Sequence, residues 1–306
     1  MQISIACLTH CCSLLCGVAL VCVGLPNAFV SGQERKINVI AFGAHPDDCD
    51  QRAGGLAAKY AARGHRVRFV SVTNGDAGHQ TEGGGALANR RRAEAQEAGK
   101  RIGIEYIVLD NHDGELLPTL QVREQIIRQM RQVNADLVLA PRPNDYHPDH
   151  RYTGILVQDA AYMVTVPNIC PDTPSLRKNP VFLYFQDGFQ KPNPFSPDIA
   201  VAIDDVIDKK WSMLDAHVSQ FYEWLAWHDG KLDQVPKDPK ARLDWLRKAR
   251  DYEPGPAMRT SLAKWYGPET AKGIRFVEAF EICEYGRRPS EADVRSLLPF
   301  FPGQPK

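Results

Sequence analysis

The sequence predicts an α/β fold, in which a mostly parallel sheet lies between two layers of helices. Short apolar runs rich in β-branched residues, such as INVIAF, recur between helical segments from residue 37 onward. Runs that are apolar throughout are typical of parallel strands buried on both faces. Strands that alternate with helices favour right-handed crossovers, and these give a three-layer, Rossmann-like architecture.

Four strands and three helices are predicted in the first half of the chain. The strands span 37–44, 66–75, 105–110 and 136–141, and the helices span 54–64, 90–103 and 123–134. A glycine-rich loop is expected over 79–89. Polar residues follow directly after each strand, and in open α/β sheets ligands bind outside the carboxyl ends of the strands. The sequence therefore predicts a functional site at that edge of the sheet.

The second half of the chain is less regular. We predict helices over 151–165 and 209–227, a proline-bearing loop over 168–180 and a strand over 181–185. The polar segment 229–273 contains several prolines and is interpreted as a surface insertion that forms an irregular C-terminal cap. Periodicity does not decide whether 274–285 is a strand or a helix. Without an internal repeat or a flexible linker, residues 33–306 are expected to form a single domain.

The first 32 residues differ in kind from the rest. They hold an apolar stretch from Cys11 to Leu25, lack lysine and arginine, and end with the small residues Val30 and Gly32 around serine. This pattern predicts a signal peptide over 1–32 and hence a secreted or periplasmic protein, with an uncleaved membrane anchor as the alternative. Five of the eight cysteines lie here, so the other three indicate neither a disulfide framework nor a cysteine metal site.

The charge balance excludes some classes of partner. Lysine plus arginine and aspartate plus glutamate number 37 each, so the formal net charge is zero. Without a basic excess, no binding to nucleic acid is expected. The oligomeric state is left open. The nine histidines matter more than the net charge, because imidazole is the commonest metal ligand among side chains.

The segment GAHPDDCD, residues 43–50, carries the strongest chemical signal. One histidine and three aspartates follow the first strand at once, and Pro46 fixes φ so that the strand cannot continue. The resulting turn can bring the side chains of His45 and Asp48 to one point. A histidine and a carboxylate supply two ligands for a divalent metal such as zinc.

A second segment, HPDH at 147–150, follows the fourth strand with the same turn chemistry. Catalytic zinc keeps three protein ligands and one position open to water, so either of these histidines can complete a His2Asp set. The other histidine and the second aspartate of HPDD then suit the acid and the base of a hydrolysis. Asp149 can orient an imidazole. Either segment alone could be an ordinary capped turn, but the two together predict a metal site, and the histidines disfavour magnesium.

These segments resemble the motifs of the PIG-L/LmbE-like N-acetylglucosaminyl deacetylases, a zinc-dependent family. The motifs are AHPDD (44–48) and HPDH (147–150), with support from TNGDAG (73–78), RRAEA (91–95), HDGEL (112–116) and AHVSQ (216–220). The likeness extends from about Ile37 to Tyr285. The chain departs from many members where Cys49 follows the aspartate pair, and from some where Asp145 stands in place of a tyrosine.

The resemblance implies a metal site with zinc, or alternatively ferrous iron, on His45, Asp48 and His150. It implies Asp47 as the general base, and His147 as the group that stabilises the oxyanion or protonates the amine.

The family also contacts the sugar through an arginine and a downstream aspartate. Arg91 and Asp113 are the best matches, although Arg90 and Arg92 make the choice of arginine ambiguous.

The function predicted from these residues is zinc-dependent hydrolysis of the N-acetyl group of a GlcNAc-type amino sugar, either a small molecule or part of a glycan, by metal-activated water. One alternative is an amidase that cleaves a larger acyl group from an amino-sugar conjugate. An alternative of another class is a secreted carbohydrate-binding protein without catalytic activity.

Overall fold

The computed structural model describes residues 35–250 and 253–303, so the expected signal peptide or anchor over 1–32 lies outside the described residues. The described strands are β1 (Asn38–Gly43), β2 (Arg66–Thr73), β3 (Glu105–Asn111), β4 (Leu137–Ala140), β5 (Val181–Phe185), β6 (Ile199–Ala202) and β7 (Val277–Ile282). They form one sheet in the order β3-β2-β1-β4-β5-β7-β6. β1 to β5 pair in parallel, and β7 pairs antiparallel with β5 and β6. The mostly parallel sheet confirms the predicted fold class.

Helices cover both faces of this sheet. They are α1 (Asp48–Ala62), α2 (Gly84–Ile102), α3 (Leu120–Val133), α4 (Pro148–Met163), α5 (Ile207–Ala216), α6 (Leu225–His228), α7 (Pro239–Ala249), α8 (Pro256–Tyr266), α9 (Pro268–Gly273) and α10 (Glu291–Leu297). Side chains of β1 alternate between two apolar cores, with Val39 and Ala41 in one and Ile40 and Phe42 in the other. α1, α2 and α5 pack into the first core and α3 and α4 into the second, which gives three layers.

The strand order places the two predicted motifs next to each other. The chain leaves β1 through β2 and β3 on one side and returns to the other side of β1 at β4. Such a reversal of strand order opens a crevice beyond the carboxyl ends of the two central strands. HPDD follows β1 and HPDH follows β4, so the topology brings residues about a hundred positions apart to one crevice.

The helix predicted over 209–227 is interrupted. α5 ends at Ala216, a π-helical turn covers Ser219–Trp224, and α6 follows. Within this turn Ser219 donates to the Glu94 carboxylate and Gln220 donates to the carbonyl of Gly78. The irregular turn therefore serves contacts that a straight helix would not make, as π-helical turns often do.

Three of the five prolines of segment 229–273 begin helices instead of breaking the chain into loops. α7, α8 and α9 each start with a proline, where the missing N–H has no helical partner to lose. Three helices therefore replace the irregular chain expected there. The segment 274–285, for which periodicity did not decide between strand and helix, contains strand β7. The sequence did not predict β6, because this strand has only four residues and follows a proline-rich loop. No helix of the described ranges is long and apolar enough to cross a bilayer.

A buried ion pair fastens α1 to the sheet. Lys210 Nζ donates to Glu278 Oε1 at 2.7 Å and to the Gln51 carbonyl at 2.8 Å. The Glu278 carboxylate also accepts the N–H groups of Gly55 and Leu56, at 2.8 and 2.7 Å. Because both charged groups are buried, each depends on the other for compensation.

Replacing Glu278 by Gln should lower the free energy of unfolding by about 3–5 kcal/mol, since it leaves the Lys210 charge buried without compensation. Chemical denaturation measures this loss. The matched control is Glu269→Gln, which removes one member of an exposed pair with Lys272 and should change stability by less than about 1 kcal/mol. Equal effects of the two substitutions would contradict a structural role for the buried pair.

Candidate active site

The first motif forms the turn between β1 and α1. A Cβ atom on Gly43 would lie 2.6 Å from the Cβ of Asp48, so the turn leaves no room for a side chain there. Asp47 has a φ of 152°, which is rare for any residue other than glycine. α1 begins at Asp48 and not at residue 54, as the sequence suggested. The strain at Asp47 is a cost that functional sites commonly carry.

Three side-chain atoms from the two motifs meet at one point. His45 Nδ1 and His150 Nε2 lie 3.2 Å apart. Asp48 Oδ2 lies 3.6 Å from the first of these nitrogens and 3.4 Å from the second. Around a zinc ion with ligand bonds of about 2.0–2.1 Å, tetrahedral geometry separates ligand atoms by about 3.3–3.4 Å. The three atoms therefore have the spacing of a zinc ligand set.

Carboxylates on the far side of each ring fix which histidine nitrogen is free. His45 Nε2 lies 3.0 Å from Asp113 Oδ1 and 3.3 Å from Asp149 Oδ2. His150 Nδ1 lies 3.0 Å from Asp145 Oδ1. These nitrogens donate protons to the carboxylates, so the lone pairs of His45 Nδ1 and His150 Nε2 are free for a metal. Metal-binding histidines are usually oriented by carboxylates in this way.

The electrostatics of the cluster favour a cation. Burial lowers the pKa of His45, but hydrogen bonds with three carboxylates outweigh it and hold this pKa well above its usual value. Burial raises the pKa of Asp48, yet the neighbouring His150 and His45 hold it well below its usual value. Both directions show that positive charge is stabilised here, which fits a divalent metal on these residues.

Proteins of known activity are similar in sequence to this chain. Residues 40–161 match the family model described as PIG-L: GlcNAc-PI de-N-acetylase. The diacetylchitobiose deacetylase of Thermococcus kodakarensis is 32% identical over 287 residues, which cover 85% of this chain and 94% of that protein. The chain belongs to the PIG-L family. It is accordingly a deacetylase, a hydrolase of amide bonds.

Solved structures of similar fold include a deacetylase and an enzyme of another activity. The N,N'-diacetylchitobiose deacetylase from Pyrococcus horikoshii, complexed with its inhibitor MPG, has a TM-score of 0.60 at 26% identity over 81% of this chain and 84% of that one. GalB, a 4-carboxy-2-hydroxymuconate hydratase from Pseudomonas putida KT2440, also has a TM-score of 0.60, but at 20% identity over 84% of this chain and 99% of that one. The second likeness concerns the fold alone, so function must be argued from the site.

In this PIG-L site Asp47 lies beside the three proposed ligands. Its carboxylate accepts from Gln51 Nε2 at 3.1 Å and from Arg91 Nη2 at 3.3 Å, so both oxygens are held. Burial raises the pKa of Asp47 to about 6, although the Arg91 charge acts in the opposite direction. A carboxylate with a pKa in this range can take up a proton near neutral pH.

Of the three consecutive arginines, Arg91 is the one that lines the cleft. It is 2% exposed, and besides Asp47 it contacts Asp113 Oδ2 at 3.5 Å and the Gly75 carbonyl at 3.1 Å. The guanidinium thus positions two carboxylates of the site. Arg90 instead pairs with Glu82 and Glu223 and Arg92 with Asp110, both away from the proposed ligands.

His147 is placed to act as a hydrogen-bond donor. It caps α4, with its Nδ1 accepting the N–H of Asp149 at 3.2 Å. In the neutral ring the proton must then reside on Nε2. Burial lowers the pKa of His147, and the charges of His45 and His150 lower it further, which favours this neutral form. Its ring centroid lies 4.6 Å from that of His45.

The histidine triplet offers a second candidate metal set. Ring nitrogens of His45, His147 and His150 all lie within 4.8 Å of one another. The set that includes Asp48 is tighter, and it supplies the negative charge that the all-histidine set lacks. Asp149 was expected to orient an imidazole, and it contacts that of His45 while accepting the N–H groups of Gly114 and Leu116.

Two cleft residues, Gln51 and Arg52, escaped the sequence analysis. A cleft of about 530 Å³ contains the site and is lined in addition by Gln51, Arg52, Tyr146, Gln220 and Trp224. Asp145, which orients His150, was noted only as a departure from the family pattern. Its position two residues before HPDH could have indicated this role, because a carboxylate just before the first turn of a helix can reach a histidine in that turn, here His150.

Two residues beside the motifs' chemistry, His217 of AHVSQ and Cys49 after the aspartate pair, are structural. His217 is fully buried, and its Nε2 lies 3.3 Å from Asp50 Oδ1 without lining the cleft. Cys49 is fully buried in the apolar core, with Sγ near the carbonyl of Val70, so the thiol does not compete for metal.

Replacing Asp145 by Asn should weaken zinc binding about 10–100-fold, because His150 loses the carboxylate that fixes its proton on Nδ1. His150→Ala should weaken binding more than this, since it removes a proposed ligand. Competition titration against a chromophoric chelator measures both. Asp172→Asn, an exposed carboxylate on the loop after α4, is the control and should bind like the wild type. Unchanged affinity in Asp145→Asn would contradict the proposed ligand set.

Replacing Gly78 by Ala should impair catalysis without a comparable loss of stability. A Cβ atom at this position would lie 2.7 Å from Arg91 Nη1 and 3.1 Å from Asp113 Oδ2, so it displaces the guanidinium that holds Asp47. We expect kcat to fall about tenfold or more, with a change in Tm of only a few degrees. Gly85→Ala, which meets no neighbouring atom, is the matched control. Wild-type kcat in Gly78→Ala would contradict the positioning role of Arg91.

Proposed function

We infer that this protein hydrolyses the N-acetyl group of a GlcNAc-type amino sugar with zinc as its cofactor. The observation that carries the proposal is the convergence of His45 Nδ1, Asp48 Oδ2 and His150 Nε2 within 3.2–3.6 Å, beside an aspartate and a histidine that are not needed as ligands. The names of the relatives support the substrate class. A zinc ion on these atoms would polarise an amide carbonyl and lower the pKa of bound water.

Asp47 is proposed as the general base. Its two oxygens are already engaged by Gln51 and Arg91, so its position is fixed before substrate binds. Preorganisation of this kind removes the need to order the carboxylate during the reaction. A proton taken up on Asp47 can then be passed to the leaving nitrogen, because its pKa of about 6 makes the carboxyl group a competent acid as well.

His147 is proposed to stabilise the charge that develops on the acetyl oxygen. The neutral ring with its proton on Nε2 is a hydrogen-bond donor, and the half-buried setting strengthens such a bond relative to water. Arg91 and Asp113, proposed as sugar contacts, both line the cleft. Arg91 is almost wholly buried, so we assign it to the positioning of Asp47 and leave Asp113 as the better candidate for a sugar hydroxyl.

The cellular location of the reaction is proposed from the signal peptide predicted over residues 1–32. The apolar segment over 1–32 supports export, so we propose that the enzyme acts outside the cytoplasm on a soluble or glycan-bound amino sugar. Residues 33–306 would form the exported catalytic domain.

A screen of amine release from N-acetyl sugars, with and without chelator, tests the function. The wild type should release amine and acetate and lose activity when chelated. Asp47→Asn should keep its metal and lose about 10²–10⁴-fold in kcat, because it removes the general base. Asp172→Asn again serves as the control. Release of larger acyl groups in preference to acetate would indicate an amidase, and sugar binding without any amine product would indicate a non-catalytic protein; either result contradicts the proposal.

A further inference from the structure

A second cavity lies next to the catalytic cleft. It has a volume of about 150 Å³ and lies between α1, α5 and the start of β7. Gln51 and Arg52 line both this cavity and the cleft, so the two spaces adjoin at these side chains. Arg52 lies one helical turn beyond Asp48, and residues four apart share one face of a helix.

The walls of this cavity combine apolar and cationic groups. Trp211, Ile207, Leu214 and Phe276 supply most of the apolar surface. The charged groups that line it are all positive, and among the described residues no carboxylate belongs to its lining. Cavities of about this size with apolar walls accommodate a group as large as benzene. The occupant that matches both properties is a compact apolar group bearing a negative charge.

Arg52 supplies the uncompensated charge. Most arginines of the described ranges pair with a carboxylate or a backbone carbonyl, whereas Arg52 makes neither contact with any residue that the structure describes. Its side chain is exposed, so it can turn toward either space. Lys210, which also lines the cavity, is already compensated by Glu278. An arginine without a partner beside an apolar cavity is suited to a carboxylate or phosphate, which it can bind through two parallel hydrogen bonds.

We propose that this cavity is a binding site for an apolar, anionic part of the substrate, such as an aromatic or branched aglycone that carries a carboxylate or phosphate. The proposal rests on the proposed function for the identity of the substrate. It further implies that the substrate is a conjugate of the amino sugar. With the sugar at the metal site near Asp48, the charged group attached to it would extend along α1, past Arg52, into the cavity. Arg52 is then the residue that selects charged conjugates over neutral ones.

Binding of 4-fluorobenzoate, followed by 19F NMR, tests the site without any turnover. The wild type should bind this probe saturably and bind the neutral 4-fluorobenzamide about tenfold more weakly, because hydrogen bonds to a charged group are the stronger ones. Arg52→Gln should remove most of this preference. Ile207→Trp should block the cavity and weaken both probes. Arg177→Gln removes an exposed arginine that precedes the amino end of β5, away from the carboxyl ends of the strands, and should behave as the wild type.

The same titration on chelator-treated protein separates the cavity from the metal site. Affinity that persists without metal supports the proposal, whereas affinity that disappears places the carboxylate on the metal and overturns it. Affinities unaffected by both Arg52→Gln and Ile207→Trp would also overturn it. Tm values confirm that each variant is folded.

Turnover links the cavity to the substrate. The value of kcat/KM should be about tenfold higher for 4-carboxyphenyl than for phenyl N-acetylglucosaminide, and the difference should vanish in Arg52→Gln. Equal values in the wild type would overturn the assignment to substrate. Amine release from neither compound nor from any other N-acetyl sugar would instead contradict the proposed function, while the 19F titration still decides whether the cavity binds an apolar anion.

Discussion

Three lone pairs held within 3.2–3.6 Å of one another, two on imidazoles and one on a carboxylate, are the constraint on which the site depends. Nitrogen atoms of His45 and His150 and an oxygen of Asp48 repel one another unless positive charge, a metal ion or a proton, is shared among them. The sheet imposes this proximity, because β1 and β4 are neighbours and each ends in a proline-marked turn. The free energy of folding therefore supplies the preorganisation that a metal site requires.

A second set of residues turns this cation site into a hydrolytic one. Asp113, Asp145 and Asp149 orient the histidines, and Arg91 holds Asp47 in a backbone conformation that few residues adopt. The glycines of TNGDAG have a physical reason for their identity, since Gly75 and Gly78 both lie against the Arg91 guanidinium, where a Cβ atom would collide with it. A motif that looks peripheral in the sequence is thereby tied to the proposed base.

The sequence was informative where local chemistry and topology agree. Apolar runs located the central strands, and Pro46 and Pro148 located the turns that carry the ligands. It was less informative where tertiary contacts override local preference. The π-helical turn at Ser219–Trp224 depends on partners in α2 and in the loop after β2, which no local pattern reveals. The short strand β6 depends on pairing with β7. The prolines of 229–273 looked like breakers, although three of the five begin a helix.

The arginine triplet shows the same limit at the level of single residues. Sequence alone left the choice among Arg90, Arg91 and Arg92 open, because three adjacent positions of a helix face three directions. Packing decides it, since only Arg91 points into the space that the two glycines leave free. Asp145 and Arg52 gave no periodic signal either, and their roles follow from what lies beside them in the fold.

A crystal structure of the zinc-loaded protein, with data collected on both sides of the zinc absorption edge, tests the central claim most directly. We expect one zinc ion bound by His45 Nδ1, Asp48 Oδ2 and His150 Nε2 at about 2.0–2.2 Å, with a solvent ligand in the remaining position. A zinc ion held by His147 in place of Asp48, or no anomalous peak in the crevice between β1 and β4, would contradict it.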